Sequence, residues 1–218
     1  MKVALIGATG WAGSAIRDEA LSRGHSVTGI SRHPEQLPPH PRLTPASGDV
    51  FNAAQVAALV RGHDAVISAY GAGRWSWDPK QFDDFVNAMN GLIAGLRAAK
   101  VKRVLVVGGA SSLEVRPGVQ YINASLLPRE HAHLASGILG ARQAYYILKT
   151  ADDLEWTVLA PSLQFAEEPA RGNYRLGLNE ALYDETGRSW ISLPDYAKAM
   201  IEELEHPRHI RQRFTVGY

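Results

Sequence analysis

Apolar residues along this chain fall into short unbroken runs separated by longer stretches of helical period. Val3–Ile6, Val27–Ile30, Ala65–Ser68, Val104–Val107 and Trp156–Ala160 are strand-length, rich in β-branched residues and free of polar–apolar alternation. Strands read this way when helices bury both faces of a parallel sheet. Between them, helical patterns occupy residues near 11–23, 53–61, 79–99 and 129–150. This β-α-β-α order predicts an α/β protein built on an open, doubly wound parallel sheet. A sixth short strand is expected near Leu43–Pro45, leading into Gly48-Asp49-Val50.

Two helix starts are legible. Asp78-Pro79-Lys80-Gln81-Phe82 offers an N-cap Asp, Pro at the first helical position and Gln81 to close a capping box, with Trp77 and Phe82 as a hydrophobic staple. Ser192-Leu193-Pro194-Asp195-Tyr196 repeats the logic with Ile191 and Tyr196, which assigns Asp195 mainly to capping. The stretch from His33 to Pro45 holds prolines 34, 38, 39, 41 and 45 and predicts an irregular surface loop. After about residue 161 the rhythm breaks, and Phe165–Tyr183 shows no clear period. In a doubly wound fold such a segment covers the carboxyl ends of the strands. It is read as a small C-terminal substrate-facing lobe of a single domain, residues 1–218, with Gln212–Val216 as an edge strand.

Composition narrows the function without naming it. The chain has 218 residues, 45% hydrophobic and 21% charged, as a globular domain does. Its formal net charge is +1, so no strong field draws it to nucleic acid or a membrane surface. There is no Cys, which removes disulfides, thiolate nucleophiles and Cys-ligated metals. No apolar run approaches the roughly 18 residues of a membrane span. The strand run begins at Val3 with no signal peptide before it, which predicts a cytoplasmic protein.

The strongest chemical signal is Gly7-Ala8-Thr9-Gly10-Trp11-Ala12-Gly13, directly after the first strand and opening the first helix. Gly7 permits the tight turn, Gly10 lets backbone approach a pyrophosphate, and Gly13 lets the helix sit close to the sheet. Phosphates then meet free N–H groups at the positive end of the helix. The pattern marks a Rossmann-type dinucleotide fold. The second strand ends Ser31-Arg32-His33, without the Asp or Glu that binds a ribose 2′-hydroxyl. Arg32 suits a dianionic 2′-phosphate, so NADP(H) is expected over NAD(H).

The G-x-x-G-x-x-G spacing resembles the short-chain dehydrogenase/reductase superfamily in its extended and atypical branches. Over essentially the whole chain the closer resemblance is to the NADH-flavin-reductase-like group of atypical members, with biliverdin-reductase-B-type flavin reductases more distant. It is carried by the Trp156–Pro161 strand, Gly172-Asn173-Tyr174-Arg175-Leu176-Gly177, Ile191-Ser192 with Asp195-Tyr196-Ala197, and Arg213-Phe214-Thr215-Val216. The resemblance implies adenine contacts at Asp49 and Val50 and an adenosine-ribose border at Ala69, Tyr70 and Gly71. With Gly7, Thr9, Gly10, Trp11, Ala12, Gly13, Ser31, Arg32 and Pro161 these are the expected cofactor residues. The resemblance also places Ser111, in Gly108-Gly109-Ala110-Ser111-Ser112-Leu113, at the superfamily's catalytic Ser; a turn-capping Ser is the alternative reading, and Ser112 is the neighbouring candidate.

Better-known members pair that Ser with Tyr-x-x-x-Lys. Tyr145-Tyr146-Ile147-Leu148-Lys149 fits the spacing, but a helix starting near Arg129 places Tyr145 on the order of 20 Å from the site edge. At the helix start stand Glu130, His131 and His133. His131 is the proton-donor candidate there, while Glu130 equally favours the helix dipole. His131 and His133 do not share a helix face, and no metal is expected. The remaining chemistry is hydride transfer to an acceptor that needs little acid from the protein, such as a flavin (FMN or FAD) or a quinone. Trp75, Trp77, Tyr121, Phe165 and Tyr174 are candidate walls, and Arg171 or Arg175 a candidate for a flavin phosphate. A non-catalytic NADP(H) sensor with a protein partner is the alternative; a sugar-nucleotide epimerase ranks last. A monomer or homodimer is expected.

Overall fold

The structure is a computed structural model and describes residues 1–71, 78–123 and 135–218. In chain order the elements are β1 (Lys2–Ile6), α1 (Trp11–Ser22), β2 (Ser26–Ser31), β3 (Leu43–Ser47), α2 (Ala53–Val60), β4 (Ala65–Ser68), α3 (Gln81–Ala99), β5 (Arg103–Val107), the hairpin β6 (Glu114–Arg116) and β7 (Val119–Gln120), α4 (Ala135–Leu148), β8 (Glu155–Pro161), β9 (Gln164–Ala166), β10 (Arg175–Gly177), β11 (Trp190–Ser192), α5 (Leu193–Glu205) and β12 (Gln212–Gly217).

Eight strands form one sheet in the order β3-β2-β1-β4-β5-β8-β12-β10, parallel throughout except for the β10–β12 pair. The chain winds outward from β1 to β3, then returns to place β4 on the other side of β1. That reversal opens a crevice at the carboxyl ends of β1 and β4, where such folds take their ligands. Helices α1 and α5 cover one face, and α2, α3 and α4 the other. Alternate residues of each strand serve opposite faces. Val3 and Leu5 join the core under α1 and α5, while Ala4 and Ile6 join the core under α2 and α3. Two apolar faces explain the unbroken runs.

Gln212–Val216 is not an edge strand. β12 lies between β8 and β10, because the covering segment returns β10 antiparallel alongside it. The described part of the helix expected at 129–150 begins at Ala135.

Asp78 does not cap α3. Its Oδ1 accepts from the Lys80 N–H at 2.9 Å, in the turn before the helix, and Lys80 is the N-cap. Gln81 closes no capping box. It is buried against α4, where a Cβ on Gly137 would sit 2.3 Å from its amide oxygen. Phe82 is partly exposed, and its expected staple partner Trp77 lies outside the described residues.

At α5 the cap itself is Ser192, whose Oγ accepts from the Asp195 N–H at 3.3 Å. The Asp195 carboxylate has a different task. Its Oδ2 accepts from the backbone N–H of Arg171 at 2.7 Å and Gly172 at 3.0 Å, and from the Tyr218 hydroxyl. It therefore ties the covering segment to α5. A satisfied first-turn acid and a tether look alike in sequence, because the tether's partners are backbone groups more than 20 residues away.

Two predictions follow from this packing. α3 presses so close to the loop after β3 that a Cβ on Gly91 would lie 2.2 Å from the Val50 carbonyl oxygen. Gly91→Ala should therefore lower stability in urea by about 1–3 kcal/mol. Burial pushes the Asp195 carboxyl up, but bonds from Tyr218, Gly172 and Arg171 outweigh it and hold the group below its usual 3.8. The stability it contributes is thus fully present above about pH 4 and is lost as pH falls through the depressed folded value. Melting temperature followed from neutral to acid pH should show a shallower acid limb in Asp195→Asn than in the parent.

Candidate functional site

The glycine turn is built by close approach. Gly7 has φ +79°, and a Cβ there would lie 2.7 Å from the Ala69 carbonyl oxygen. The Gly7 and Ala8 N–H groups bond the Ile30 carbonyl at 2.9 and 3.3 Å, which fixes the turn to β2. A Cβ on Gly13 would lie 2.0 Å from the Gly7 carbonyl oxygen. α1 can start here only because that atom is missing. Gly10 is its N-cap and brings no side-chain acceptor, so among the described residues no side chain caps the first turn of α1.

This turn forms one side of a cleft of about 360 Å³ at the β1/β4 switch point. Of the expected cofactor residues, Gly7, Thr9, Gly10, Ser31, Arg32, Asp49, Val50, Ala69, Tyr70 and Gly71 line it together. The Thr9 and Ser31 hydroxyls share a 2.8 Å hydrogen bond, and Ser31 Oγ also accepts from the His33 N–H at 3.1 Å. The end of β2 is thereby locked, and Arg32 is left exposed at the cleft edge; among the described residues it makes no hydrogen bond or ion pair. Asp49 accepts from the Phe51 N–H at 3.0 Å, and Asn52 caps α2 through Ala54 and Gln55, so this loop is held by its own side chains.

Tyr70 stands edge-on between Phe51 and Phe85, with ring centroids 5.7 and 5.5 Å away. Burial, with Asp84 nearby, pushes its phenol up to about 12, so it stays protonated at neutral pH. Gly48, Phe51, Asp78, Gln81 and Asp84 also line the cleft and were missed from sequence. Phe51 directly follows the expected Asp49-Val50, which was the available signal. The start of α3 gave none beyond its capping pattern.

The other expected residues sit elsewhere. Ala12 and Gly13 form the first turn of α1. Trp11 turns toward the covering segment. Its indole N–H donates to Glu167 Oε1, and its ring meets Phe165 edge-on at 4.5 Å. Phe165 in turn packs at 4.5 Å on Tyr196, whose hydroxyl is anchored on the Leu159 carbonyl at 2.7 Å. Trp11 and Phe165 thus form a wall beside the glycine turn. Pro161 is buried at the end of β8, in register with Val216, and is not among the cleft-lining residues.

Ser111 is buried in a single 3-10 turn, residues 110–112, just beyond β5. Ser112 is buried in the same turn, and its Oγ accepts from Arg213 Nη1 at 2.7 Å. His131, Glu130, His133, Trp75 and Trp77 lie outside the described residues. Tyr174 is no wall of the cleft, since its hydroxyl donates to Glu202 on α5 at 2.6 Å. Tyr121 belongs to the turn after the β6–β7 hairpin. Both arginines of the covering segment have partners within it or beside it. The Arg171 guanidinium lies 4.2 Å over Trp190, and Arg175 bonds the carbonyls of Tyr183 and Tyr218.

Tyr145 meets Trp156, near the start of β8, at 6.3 Å, and the Lys149 ammonium lies 5.7 Å over the Tyr145 ring. The Tyr-x-x-x-Lys pair is therefore engaged in packing, with Tyr145 against Trp156 and under the Arg213 guanidinium. Among the described residues no helix is long and apolar enough to cross a membrane.

The NAD(P)H-binding family profile matches residues 7–207. The uncharacterized protein YwnB of Bacillus subtilis is 36% identical over 219 residues, covering 99% of this chain and 98% of its own. A Bacteroides thetaiotaomicron structure proposed to be an epimerase superposes with TM-score 0.91 at 36% identity, covering 100% of this chain and 96% of that one. A Streptococcus pneumoniae structure proposed to be an NADH-flavin reductase superposes with TM-score 0.82 at 31% identity, covering 100% and 99%. The chain belongs to the NAD(P)H-binding family, as an atypical short-chain dehydrogenase/reductase of the NADH-flavin-reductase-like group.

Proposed function

We propose that this protein is a cytoplasmic NADPH-dependent reductase that passes a hydride to a small planar acceptor, a flavin or a quinone. The observation that carries the reading is the shape of one edge of the sheet. A backbone cradle for phosphates, an unengaged Arg32 and the Ser111 turn all open from the carboxyl ends of neighbouring strands. The cradle can form because Gly7 and Gly13 lack a Cβ, which would strike the backbone carbonyl oxygens of Ala69 and Gly7.

Bound NADPH would supply the hydride, and the oxidised nucleotide would leave. The chain's own part is to hold. First-turn N–H groups of α1 would hold the pyrophosphate and Arg32 the 2′-phosphate. Asp49 would serve the base, and the Trp11–Phe165 pair would border the site. Ser111 is the hydroxyl suited to orient the acceptor. No acid–base Tyr is needed, because solvent protonates a reduced flavin or quinone once the electrons have arrived.

The sensor reading keeps one observation in its favour: Tyr145, Lys149 and the Ser112 hydroxyl are all engaged in packing. NADPH oxidation by the purified protein, with FMN, with a quinone and with neither, beside an NADH control, separates the two. Acceptor-dependent turnover favouring NADPH is expected. Tight NADPH binding without turnover on any acceptor would overturn the reductase in favour of the sensor.

Two substitutions sharpen the assignment. Arg32→Gln should raise the NADPH Kd about 10- to 100-fold, the worth of a charge-assisted contact of about 1.5–3 kcal/mol, and leave the NADH Kd within about twofold by fluorescence titration. Ser111→Ala should lower kcat/KM for the acceptor about tenfold while leaving the NADPH Kd unchanged, as steady-state rates beside a binding titration would show.

A further inference from the structure

Arg213 stands on β12 with its side chain buried, in a motif that the hydride-transfer reading leaves without a role. Its Nη1 donates to both the carbonyl oxygen and the Oγ of Ser112, each at 2.7 Å. Its Nη2 donates to Asn179 Oδ1 at 2.7 Å, and its guanidinium lies 5.4 Å over the Tyr145 ring. The Nε has no partner. Among the described residues no carboxylate pairs with it. The other buried arginines each have a carboxylate, Arg17 with Asp18 at 2.8 Å and Arg103 with Glu203 at 3.2 Å.

A buried cation without a counter-ion is a poor choice for stability alone, since an apolar side chain of similar volume avoids the desolvation. Burial pulls the Arg213 pKa down, and Tyr145, Tyr146 and Glu114 offset only part of that effect. What the charge holds is specific. Residues 110–112 make one 3-10 turn, too short to fix itself. Asn179, the other end of the fork, also accepts from the Glu114 N–H through its carbonyl at 2.8 Å. One planar fork thus joins β12, the turn that carries Ser111, and the segment that covers the carboxyl edge.

We propose that Arg213 is a positioning residue for the acceptor: it sets the Ser111 turn against the covering segment. Because Ser112 Oγ accepts a charge-assisted bond, its own proton is left to donate within the turn. A lysine would keep the charge but not the fork. This inference rests on the reductase reading for its link to the acceptor, and not for the positioning itself.

The test uses the full chain with Arg213→Lys and Arg213→Met, plus Asn179→Ala should the Met variant fail to fold. Hydrogen exchange of the amides at 110–113 and at 7–13 is measured with NADPH present, beside melting temperature, NADPH Kd and acceptor kcat. In folded variants, exchange at 110–113 should speed about tenfold with 7–13 unchanged, and the NADPH Kd should stay within about twofold. Acceptor kcat should fall about tenfold or more, and Lys should restore melting temperature without restoring kcat. Unchanged exchange at 110–113 in a folded variant overturns the proposal. So does a kcat that returns to the parent value in Arg213→Lys. If the parent protein itself turns over no acceptor, the reductase reading fails while the exchange measurement still decides the positioning.

Discussion

The site depends on an approach that a single methyl group would prevent. The Gly7 carbonyl oxygen lies where a Cβ of Gly13 would be, and the Gly7 Cα lies against the Ala69 carbonyl. These contacts bring β1, β4 and the first turn of α1 closer together than side chains allow. The result is a helix end whose N–H groups open onto the switch point of the sheet. Anion recognition is thereby assigned to backbone, which cannot change its protonation and loses little entropy on binding. Side chains are left to choose among dinucleotides.

Those side chains are held unevenly. Thr9, Ser31, Asp49 and Asn52 spend hydrogen bonds on fixing their own loops. Arg32 is at the cleft edge without such a bond. A rigid frame with one unengaged cation suits the 2′-phosphate contact we propose for Arg32, because such a contact would not be weakened by reordering of the frame. Asp49, Asp78 and Asp84 line the same cleft. In the proposed reading, phosphate attraction would come from the helix end and Arg32 at contact range, and not from a general positive field. A net charge of +1 agrees with that division.

Legibility from sequence followed the range of the interaction. The strand runs were readable because each residue reports burial on its own face, and the glycine turn because its steric demand lies within seven consecutive residues. What was not readable came from partners far apart in the chain. Asp195 matches a capping acid locally, yet it serves Arg171, Gly172 and Tyr218. The bond that Ser112 accepts from Arg213, on the last strand, has no local signal. Gln212–Val216 lacks a periodic neighbour in sequence, and only the return of β10 makes it an interior strand. The Tyr-x-x-x-Lys spacing was set aside on helix length, a local property, whereas the partners of Tyr145, Trp156 and Arg213, come from β8 and β12.

The same division separates the two halves of the site. The nucleotide half is built from local turns and survives in any chain that keeps its glycines. The half we propose for the acceptor is assembled from the turn after β5, the Trp11–Phe165 pair and the covering segment, which meet through long-range contacts. Selection on the acceptor can therefore act by changing these contacts while the nucleotide half stays intact. This explains how relatives proposed to be an epimerase and a flavin reductase superpose over this entire chain. Shared fold fixes where the nucleotide lies; what lies opposite it is set by residues that bridge segments more than 100 positions apart, as Arg213 and Ser112 do.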